Sequence, residues 1–345
     1  MGAQRSLITR RRLIELGALS ALPAVFGCRK RDQASVLSGL VTEVVLGMAR
    51  DVRAESQTLQ ARVRALSGEP SLERQRGAQS AFKRAILAWK RAFAFRSGPF
   101  VSSDAFQRAA FWPVRPTLIA GVLGEQGPID ERRVQQLGVD ARGLYTLEYL
   151  LFEDANARAM LLSDHAQGDR VRAYALELSV NILGYAERIE RLLGDGQAFA
   201  ASFAKGGKLS VDTLLSQTLD TLTIASGKFS RVERARSENR PLPFAVEGYF
   251  SSSSLEVVEA IISGSKSLYV GGGKGGLSEL AAAASKPIDD HVRAAFRETE
   301  EQLRAVGMPI EVALDSQPAR FKSAAAAVAE LRHVIDVELV SALSS

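Results

Sequence analysis

Two side chains in the middle of the sequence lie within an apolar run and could bind a ligand or a proton. Tyr145 and Glu148 stand three residues apart in the run LYTLEYLLF. On a helix this spacing places both on one face, where they can hydrogen-bond to each other or to a ligand. A carboxylate among leucines must face outward or be paired. Two interpretations stay open: a structural pair of Glu148 with Arg142 or Arg115, or a ligand or ion site.

A second group of candidate ligands lies near the C-terminus. Glu330, His333 and Asp336 follow at intervals of three residues, so a helix would bring them to one face that could hold a metal. Di-iron bundles need two Glu-x-x-His units, and only one is found here, so a solvated helix face is the better interpretation. His291, a weaker metal candidate, follows two aspartates and a nearby proline, which is typical of an acidic first helical turn.

Several familiar signals are missing from the sequence. The glycine run 271–276 has Leu277 where a phosphate-binding loop requires Ser or Thr, and there is no H-E-x-x-H motif. The first 27 residues carry +3 of the formal net charge of +5. The remaining charge is too small and too evenly mixed with acids to indicate binding to nucleic acid, so we expect no nucleic-acid partner.

The first thirty residues predict export. The segment from Thr9 to Ile14, which contains Arg10 and Arg11, resembles the twin-arginine motif. The apolar segment after it is about 14 residues long, which is short of the roughly 20 that span a bilayer. We therefore interpret residues 1–28 as a signal rather than a membrane-spanning anchor.

The chain has a single cysteine, and its position predicts a lipid anchor. Val25-Phe26-Gly27-Cys28 resembles a lipobox, in which the cysteine receives diacylglycerol before cleavage. Acyl chains bind stably to a membrane when more than one is attached. We expect a protein of the periplasm or cell envelope, held to the membrane through Cys28.

The mature chain is predicted to be all-α. Apolar residues recur at intervals of three and four over 36–66, and a break with Ser71 as N-cap precedes a second helix to residue 95. No sustained apolar–polar alternation predicts a strand. Further helices are predicted at 140–163, 168–193, 210–236, 255–268, 277–285, 287–305 and 317–343.

Paired glycines and charges near residue 205 predict a division into two helical bundles of the four-helix type. The first would cover 34–205 and the second 206–345. Such bundles build sites from side chains that project inward, so we expect the functional site within or between them.

One long stretch carries a family resemblance. It contains Trp89-Lys90-Arg91-Ala92-Phe93, Gly98-Pro99-Phe100, Trp112-Pro113-Val114-Arg115-Pro116 and the run from Ala141 to Phe152, and weaker similarity continues through Arg240-Pro241-Leu242-Pro243 to Ser263–Leu268. This pattern resembles the imelysin family. The resemblance implies an exported or lipid-anchored bacterial protein built from two packed helical bundles, with a role in iron acquisition. Members were first described as metallopeptidases.

The family signature is G-x-H-x-x-E, and this sequence departs from it at one position. Gly143 and Glu148 match the first and last positions, but Tyr145 replaces the histidine. A phenol with a pKa near 10 is a poorer ligand than imidazole for zinc or iron, and the motif then offers one carboxylate. Peptidase chemistry needs several metal ligands and a general base, so peptidase activity is not expected from this motif.

The resemblance therefore implies a non-catalytic binding component in iron or haem acquisition, with envelope iron-uptake proteins as partners. The cofactor is left open, iron and haem being the two that the family implies. One alternative is a degenerate metallopeptidase that draws ligands from Glu330, His333 or His291. Another is an envelope scaffolding lipoprotein that holds a partner without any small ligand.

Overall fold

Helices form all the regular structure of the described chain. The computed structural model describes residues 32–153, 159–163, 165–272 and 275–344. These ranges contain no β-strand, which confirms the predicted all-α fold. None of their helices is both long and apolar enough to cross a membrane. The predicted signal, with Arg10, Arg11 and Cys28, lies outside the described residues.

The predicted first helix is present, but a wider turn interrupts it. α1 (Gln33–Gly39) continues through a π-helical segment (Leu40–Val45) into α2 (Leu46–Gly68). α3 (Leu72–Ala92) follows, and the Ser71 hydroxyl accepts a backbone N–H of its first turn at 3.2 Å. The predicted N-cap is therefore confirmed.

Short helices fill the stretch from Pro99 to Phe152, which contains several prolines and glycines. They are α4 (Pro99–Ser102), α5 (Ala105–Ala109), α6 (Pro116–Gly124), α7 (Glu131–Gln136) and α8 (Leu144–Phe152). The predicted helix 140–163 is wrong at both ends. Gly143 has a φ of 82°, which no α-helix contains, so α8 begins only at the following residue. It ends at Phe152 because Glu153 has a ψ of −93°.

The remaining helices follow the predicted pattern closely. They are α9 (Ala166–Leu193), α10 (Gln197–Lys205), α11 (Lys208–Ser237), α12 (Ser254–Val270), α13 (Leu277–Ala284), α14 (Lys286–Val306), α15 (Ile310–Ser316), α16 (Pro318–Val334) and α17 (Val340–Ser344). A π-helical segment, Ile335–Leu339, joins the last two. The short α10 and α15 were not predicted.

Packing joins these helices through a few extensive contacts. α2 packs mainly on α3 and α9, and α14 on α16, while α11 packs on both α12 and α16. Residues Arg31–Ser345 hold together as one compact unit. The proposed boundary near residue 205 falls between α10 and α11, and the two-bundle division stays a prediction.

The contact between α3 and α12 is close. A Cβ at Gly264 of α12 would lie 2.2 Å from the backbone oxygen of Arg91 in α3, so only glycine fits at this crossing. Beside it, Trp89 is fully buried and donates from Nε1 to the Ser56 hydroxyl at 3.0 Å. This packing fixes the end of α3, which carries Lys90, against α12 and α2.

Candidate functional site

The backbone at Gly143 determines how the motif enters the protein interior. Its φ of 82° and ψ of −164° form a conformation that essentially only glycine adopts. A Cβ there would lie 2.5 Å from the backbone oxygen of Ala109. α8 starts at the next residue, and both Tyr145 and Glu148 are buried within it. The predicted shared face is therefore an inward face.

We expect Gly143→Ala to lower the free energy of unfolding by about 1–3 kcal/mol, because it adds backbone strain and a clash with the Ala109 carbonyl. Chemical denaturation monitored by circular dichroism measures the change. Gly121→Ala is the matched control: it lies within α6 with nothing within 4 Å of its added Cβ, and should be neutral or stabilising. Equal stability of both variants would contradict a special role for Gly143.

Glu247 is the centre of a buried charge cluster that joins three segments of the chain. One carboxylate oxygen accepts hydrogen bonds from the Lys90 ammonium of α3 and the Tyr145 hydroxyl of α8. Its other oxygen accepts from the Lys228 ammonium of α11. The side chains of Lys90, Lys228 and Glu247 are 8%, 11% and 7% exposed, so these ion pairs are almost fully withdrawn from water.

The electrostatics of the cluster keep Glu247 ionised. Burial alone would raise the pKa of Glu247, but the charges and hydrogen bonds of Lys228 and Lys90 outweigh it and hold the pKa well below its ordinary value. Burial, with the nearby charge of Glu247, raises the pKa of Tyr145 well above 10.0. The phenol therefore stays protonated and acts as a hydrogen-bond donor.

Glu148 is buried beside this cluster but bonds to a different segment. Its Oε1 accepts from the backbone N–H of Ser251 at 2.9 Å and from the Ser251 hydroxyl at 2.6 Å. Burial raises the pKa of Glu148 to about 7, and the charges of Glu247 and Glu311 act in the same direction, while the Ser251 bonds oppose it. Glu148 thus titrates near neutral pH.

A third buried carboxylate belongs to Glu311 at the start of α15. The Ser254 hydroxyl donates to its Oε2 at 2.5 Å and accepts from the backbone N–H of Ile310 at 3.0 Å. Burial raises the pKa of Glu311, and the charge of Glu256 adds to this effect. Glu311 also lines a surface pocket with the aromatic side chains of Tyr249 and Phe250. Of the three carboxylates, Glu311 is therefore the one that lines this pocket.

The residues at the motif do not fit a metal ion. Lys90 and Lys228 already occupy both oxygens of Glu247, and Tyr145 donates its proton to the same group. A cation placed here would meet two ammonium groups at close range. Among the residues that the structure describes, no group of three or more His, Cys, Asp or Glu side chains could hold a metal. The iron that the family resemblance implies has no ligand set at this position.

The expected arginine partners of Glu148 are wrong. Arg142 is buried, and its Nη1 donates to the backbone oxygen of Gln135 at 3.0 Å. Arg115 is 70% exposed and pairs with Asp140 at 3.2 Å. Gly143 explains the difference for Arg142, because its unusual backbone conformation separates that residue from the helix that carries Glu148.

The C-terminal candidates lie apart from this site. Glu330, His333 and Asp336 are all exposed, and Asp336 pairs with Arg332 at 3.6 Å. His291 is exposed, and its Nδ1 lies 2.9 Å from a carboxylate oxygen of Glu338. These positions agree with a solvated helix face, the interpretation that the sequence favoured.

Sequence reasoning did not single out Glu247, Lys90 or Lys228 as site residues. The two lysines carried a signal: Lys90 follows the buried Ile86 by one helical turn, and Lys228 follows the buried Thr221 by two. A lysine at a core position of an amphipathic helix indicates a buried ion pair, since lysine is almost never fully buried alone. Glu247 lies in a short irregular segment, which has no such periodicity.

Comparisons with known proteins identify the family and the fold. The family model for imelysin, Peptidase_M75, matches residues 45–337. The chain belongs to the imelysin family. A search of curated protein sequences returned no match. Two similar solved imelysin-like folds support the all-α architecture.

The first is the crystal structure of a "putative iron-regulated protein A precursor" from Parabacteroides distasonis ATCC 8503. It aligns with a TM-score of 0.76 and 20% identity over 92% of this chain and 97% of that chain. The second is an imelysin-like protein from Psychrobacter arcticus 273-4, with a TM-score of 0.67 and 15% identity over 90% and 95% of the two chains. At these identities the comparison shows the fold alone.

In this imelysin the motif positions thus have distinct structural roles. Gly143 turns the chain, Tyr145 donates to Glu247, and Glu148 accepts from Ser251. The tyrosine at the histidine position binds a carboxylate that two lysines neutralise. The arrangement is a network of buried, satisfied polar groups, which fixes several helices relative to one another.

Proposed function

We propose that this imelysin is a non-catalytic binding component in iron or haem acquisition, exported by the twin-arginine route and tethered to the cell envelope through Cys28. The observation that supports the non-catalytic part is the state of Glu247, which both lysines and Tyr145 already satisfy. The link to iron comes from family membership and from a structural neighbour whose name describes it as iron-regulated.

The motif lacks what peptide hydrolysis requires. A metallopeptidase polarises its substrate and activates water with a bound metal, and it needs an open coordination position. Glu148 could act as a general base by virtue of its pKa of about 7, but it is 2% exposed and bonded to Ser251. A base without a metal and without access to water does not hydrolyse a peptide bond.

The same cluster bears on how iron would be bound. Because Lys90 and Lys228 repel a bare cation, this imelysin would take iron as a preassembled complex, with the metal already coordinated by its carrier or by the porphyrin. Envelope iron-uptake proteins are the partners that this role implies. Binding of such a complex would not depend on the carboxylate of Glu148.

The proposal is tested on the purified full chain and on Tyr145→His, which restores the family motif. Zn²⁺, Fe²⁺, ferric citrate and haemin are supplied separately, and bound metal, absorption spectra and peptide cleavage are measured. We expect neither protein to hold bare Zn²⁺ or Fe²⁺ at a stoichiometric level or to cleave peptides, because the two lysines remain. Both should bind haemin or ferric citrate saturably.

Glu148→Ala supplies the control for the location of binding, and it should bind the iron complex as the unmodified chain does. Stoichiometric Zn²⁺ with peptide cleavage by Tyr145→His would favour the degenerate metallopeptidase instead. If neither haemin nor ferric citrate binds, the iron proposal fails and a scaffolding role gains support.

A further inference from the structure

A second site is formed where the chain enters the motif. A cleft of about 760 Å³ lies among α5, α7 and α9, and Arg142 forms part of its wall. Its charged lining residues are four arginines and three carboxylates: Arg108, Arg142, Arg188, Arg191, Asp104, Glu131 and Glu187. The cleft is distinct from the cluster around Glu247, since the two have no lining residue in common.

Two of the acids in this cleft already have partners. Asp104 pairs with Arg108 at 3.5 Å, and Glu131 accepts from the Gln135 amide at 2.8 Å. Arg188 and Arg191 are exposed, and among the described residues neither forms an ion pair within 4.0 Å. The cleft therefore offers guanidinium groups that remain available to an anion.

The stronger evidence is a pair of buried polar atoms for which the described residues provide no hydrogen-bond partner. Arg142 is 4% exposed, and its Nε has no hydrogen-bond partner among the residues that the structure describes, although Nη1 of the same group is bonded. Within the same part of the chain, the buried Oδ1 of Asn181, on α9, has no partner either. Both residues line the cleft. Buried groups without partners carry a desolvation cost that a suitable ligand removes.

The chemistry of these two atoms defines what fits. Arg142 Nε donates a hydrogen bond and carries positive charge, so it calls for an anionic oxygen. Asn181 Oδ1 accepts, so it calls for a hydroxyl. The charged rim at Arg188 and Arg191 adds attraction for further anionic groups.

We propose that this cleft binds a small oxyanion that also carries a hydroxyl, with the anionic oxygen on Arg142 and the hydroxyl on Asn181. Hydroxycarboxylates and hydrogen phosphate share this chemistry. The inference goes beyond the proposed function, because it concerns a separate site whose ligand needs no iron.

The test uses isothermal titration calorimetry on the full chain with citrate, tricarballylate and inorganic phosphate. Tricarballylate is citrate without its hydroxyl, so it isolates the contribution of Asn181. We expect saturable binding of citrate, of phosphate or of both, and the two arms distinguish a carboxylate from a phosphate ligand. Citrate should bind at least about tenfold more tightly than tricarballylate if the carboxylate arm is the correct one.

Matched arginine variants locate the site. Arg142→Gln should weaken binding by about tenfold or more, and Arg188→Gln should weaken it in the same direction. Arg188 is exposed, so its variant keeps the test valid even if the buried Arg142 variant unfolds. Arg115→Gln removes the same charge from an exposed arginine that does not line the cleft and should leave affinity unchanged. Asn181→Ala should abolish any preference for citrate over tricarballylate.

Absence of binding for both citrate and phosphate would overturn the inference. Ordered water would then be the hydrogen-bond partner of the two polar atoms. Equal losses in Arg115→Gln and Arg188→Gln would also overturn it, because they would indicate attraction to net charge alone. If Arg142→Gln still binds the iron complex but citrate does not bind to the protein, the proposed anion site is wrong and the proposed function is still supported. If citrate binds but no iron complex does, the anion site is supported and the proposed function fails.

Discussion

Replacement of Glu247 by Gln is expected to lower the free energy of unfolding by about 3–5 kcal/mol, the range for breaking a buried ion pair. The amide removes the single negative charge that pairs with both Lys90 and Lys228, whose side chains are 8% and 11% exposed. Two uncompensated ammonium groups would then remain in a nonpolar interior. The loss is a cost of the remaining charges rather than a measure of what the intact cluster contributes.

Urea unfolding followed by circular dichroism measures this change. Glu125→Gln is the matched control, since Glu125 also pairs bidentately with an arginine, Arg133, but is 48% exposed. Exposed pairs contribute about 0–1 kcal/mol, so the control should change stability little. If Glu247→Gln costs no more than Glu125→Gln, the buried cluster described here is incorrect.

A double variant separates the charge effect from a simple change of packing. Lys228→Met together with Glu247→Gln leaves one ammonium, Lys90, in place of two. We expect the double variant to lose less stability than the sum of the single losses, because the second substitution removes a charge that the first had stranded. Additive losses would indicate that Lys228 and Glu247 do not interact.

Local patterns in the sequence were sufficient for most of the fold. The apolar stripe of α3 and the cap at Ser71 are local properties, which depend on residues within one or two turns. The same reasoning failed at α8, where a single glycine conformation set the helix start. Position 143 requires glycine because its φ is positive and because the Ala109 carbonyl leaves no room for a Cβ, and that contact crosses 34 positions of the chain.

The site was harder to predict because its interactions join distant segments. Tyr145 reaches Glu247 across 102 positions, and Lys90 reaches it across 157. The sequence placed Tyr145 and Glu148 on one face, which is correct, and offered Arg142 and Arg115 as candidate partners of Glu148, with a ligand site as the alternative. Proximity along the chain favoured Arg142, whereas in the folded chain Ser251 is the partner of Glu148 and the two lysines are the partners of Glu247.

The charge of the cluster depends on Glu148. With Glu148 protonated, Lys90 and Lys228 outnumber the single negative charge of Glu247. Ionisation of Glu148 would balance these charges, but burial opposes it and the adjacent negative charge of Glu247 adds to that opposition. Burial and like charge prevail, since the pKa of Glu148 is raised to about 7. At neutral pH, Glu148 is therefore present in both its protonated and its ionised form.

The raised pKa of Glu148 predicts a pH-dependent stability that Glu148→Gln removes. The folded pKa of about 7 exceeds the ordinary value of 4.5, so between these values the native state binds more protons than the unfolded state. Stability from Glu148 is fully present below pH 4.5 and is lost as pH rises through 7. The shift corresponds to about 3 kcal/mol at 1.36 kcal/mol per unit. Glutamine mimics the neutral acid and keeps an oxygen for Ser251. The free energy of unfolding of the variant, relative to that of the unmodified chain, should therefore increase by about this amount between pH 4.5 and 8.

Urea unfolding at a series of pH values measures the difference between the two proteins, which cancels the titration of all other groups. Glu125→Gln again serves as the control, because its carboxylate is 48% exposed instead of buried. A constant difference for Glu148→Gln would mean that Glu148 is ionised throughout, with its charge held by the two lysines. In that event Glu148 and Glu247 together would neutralise Lys90 and Lys228, and the buried cluster would be a balanced set of four charges instead of a cluster with one carboxyl kept neutral by its surroundings.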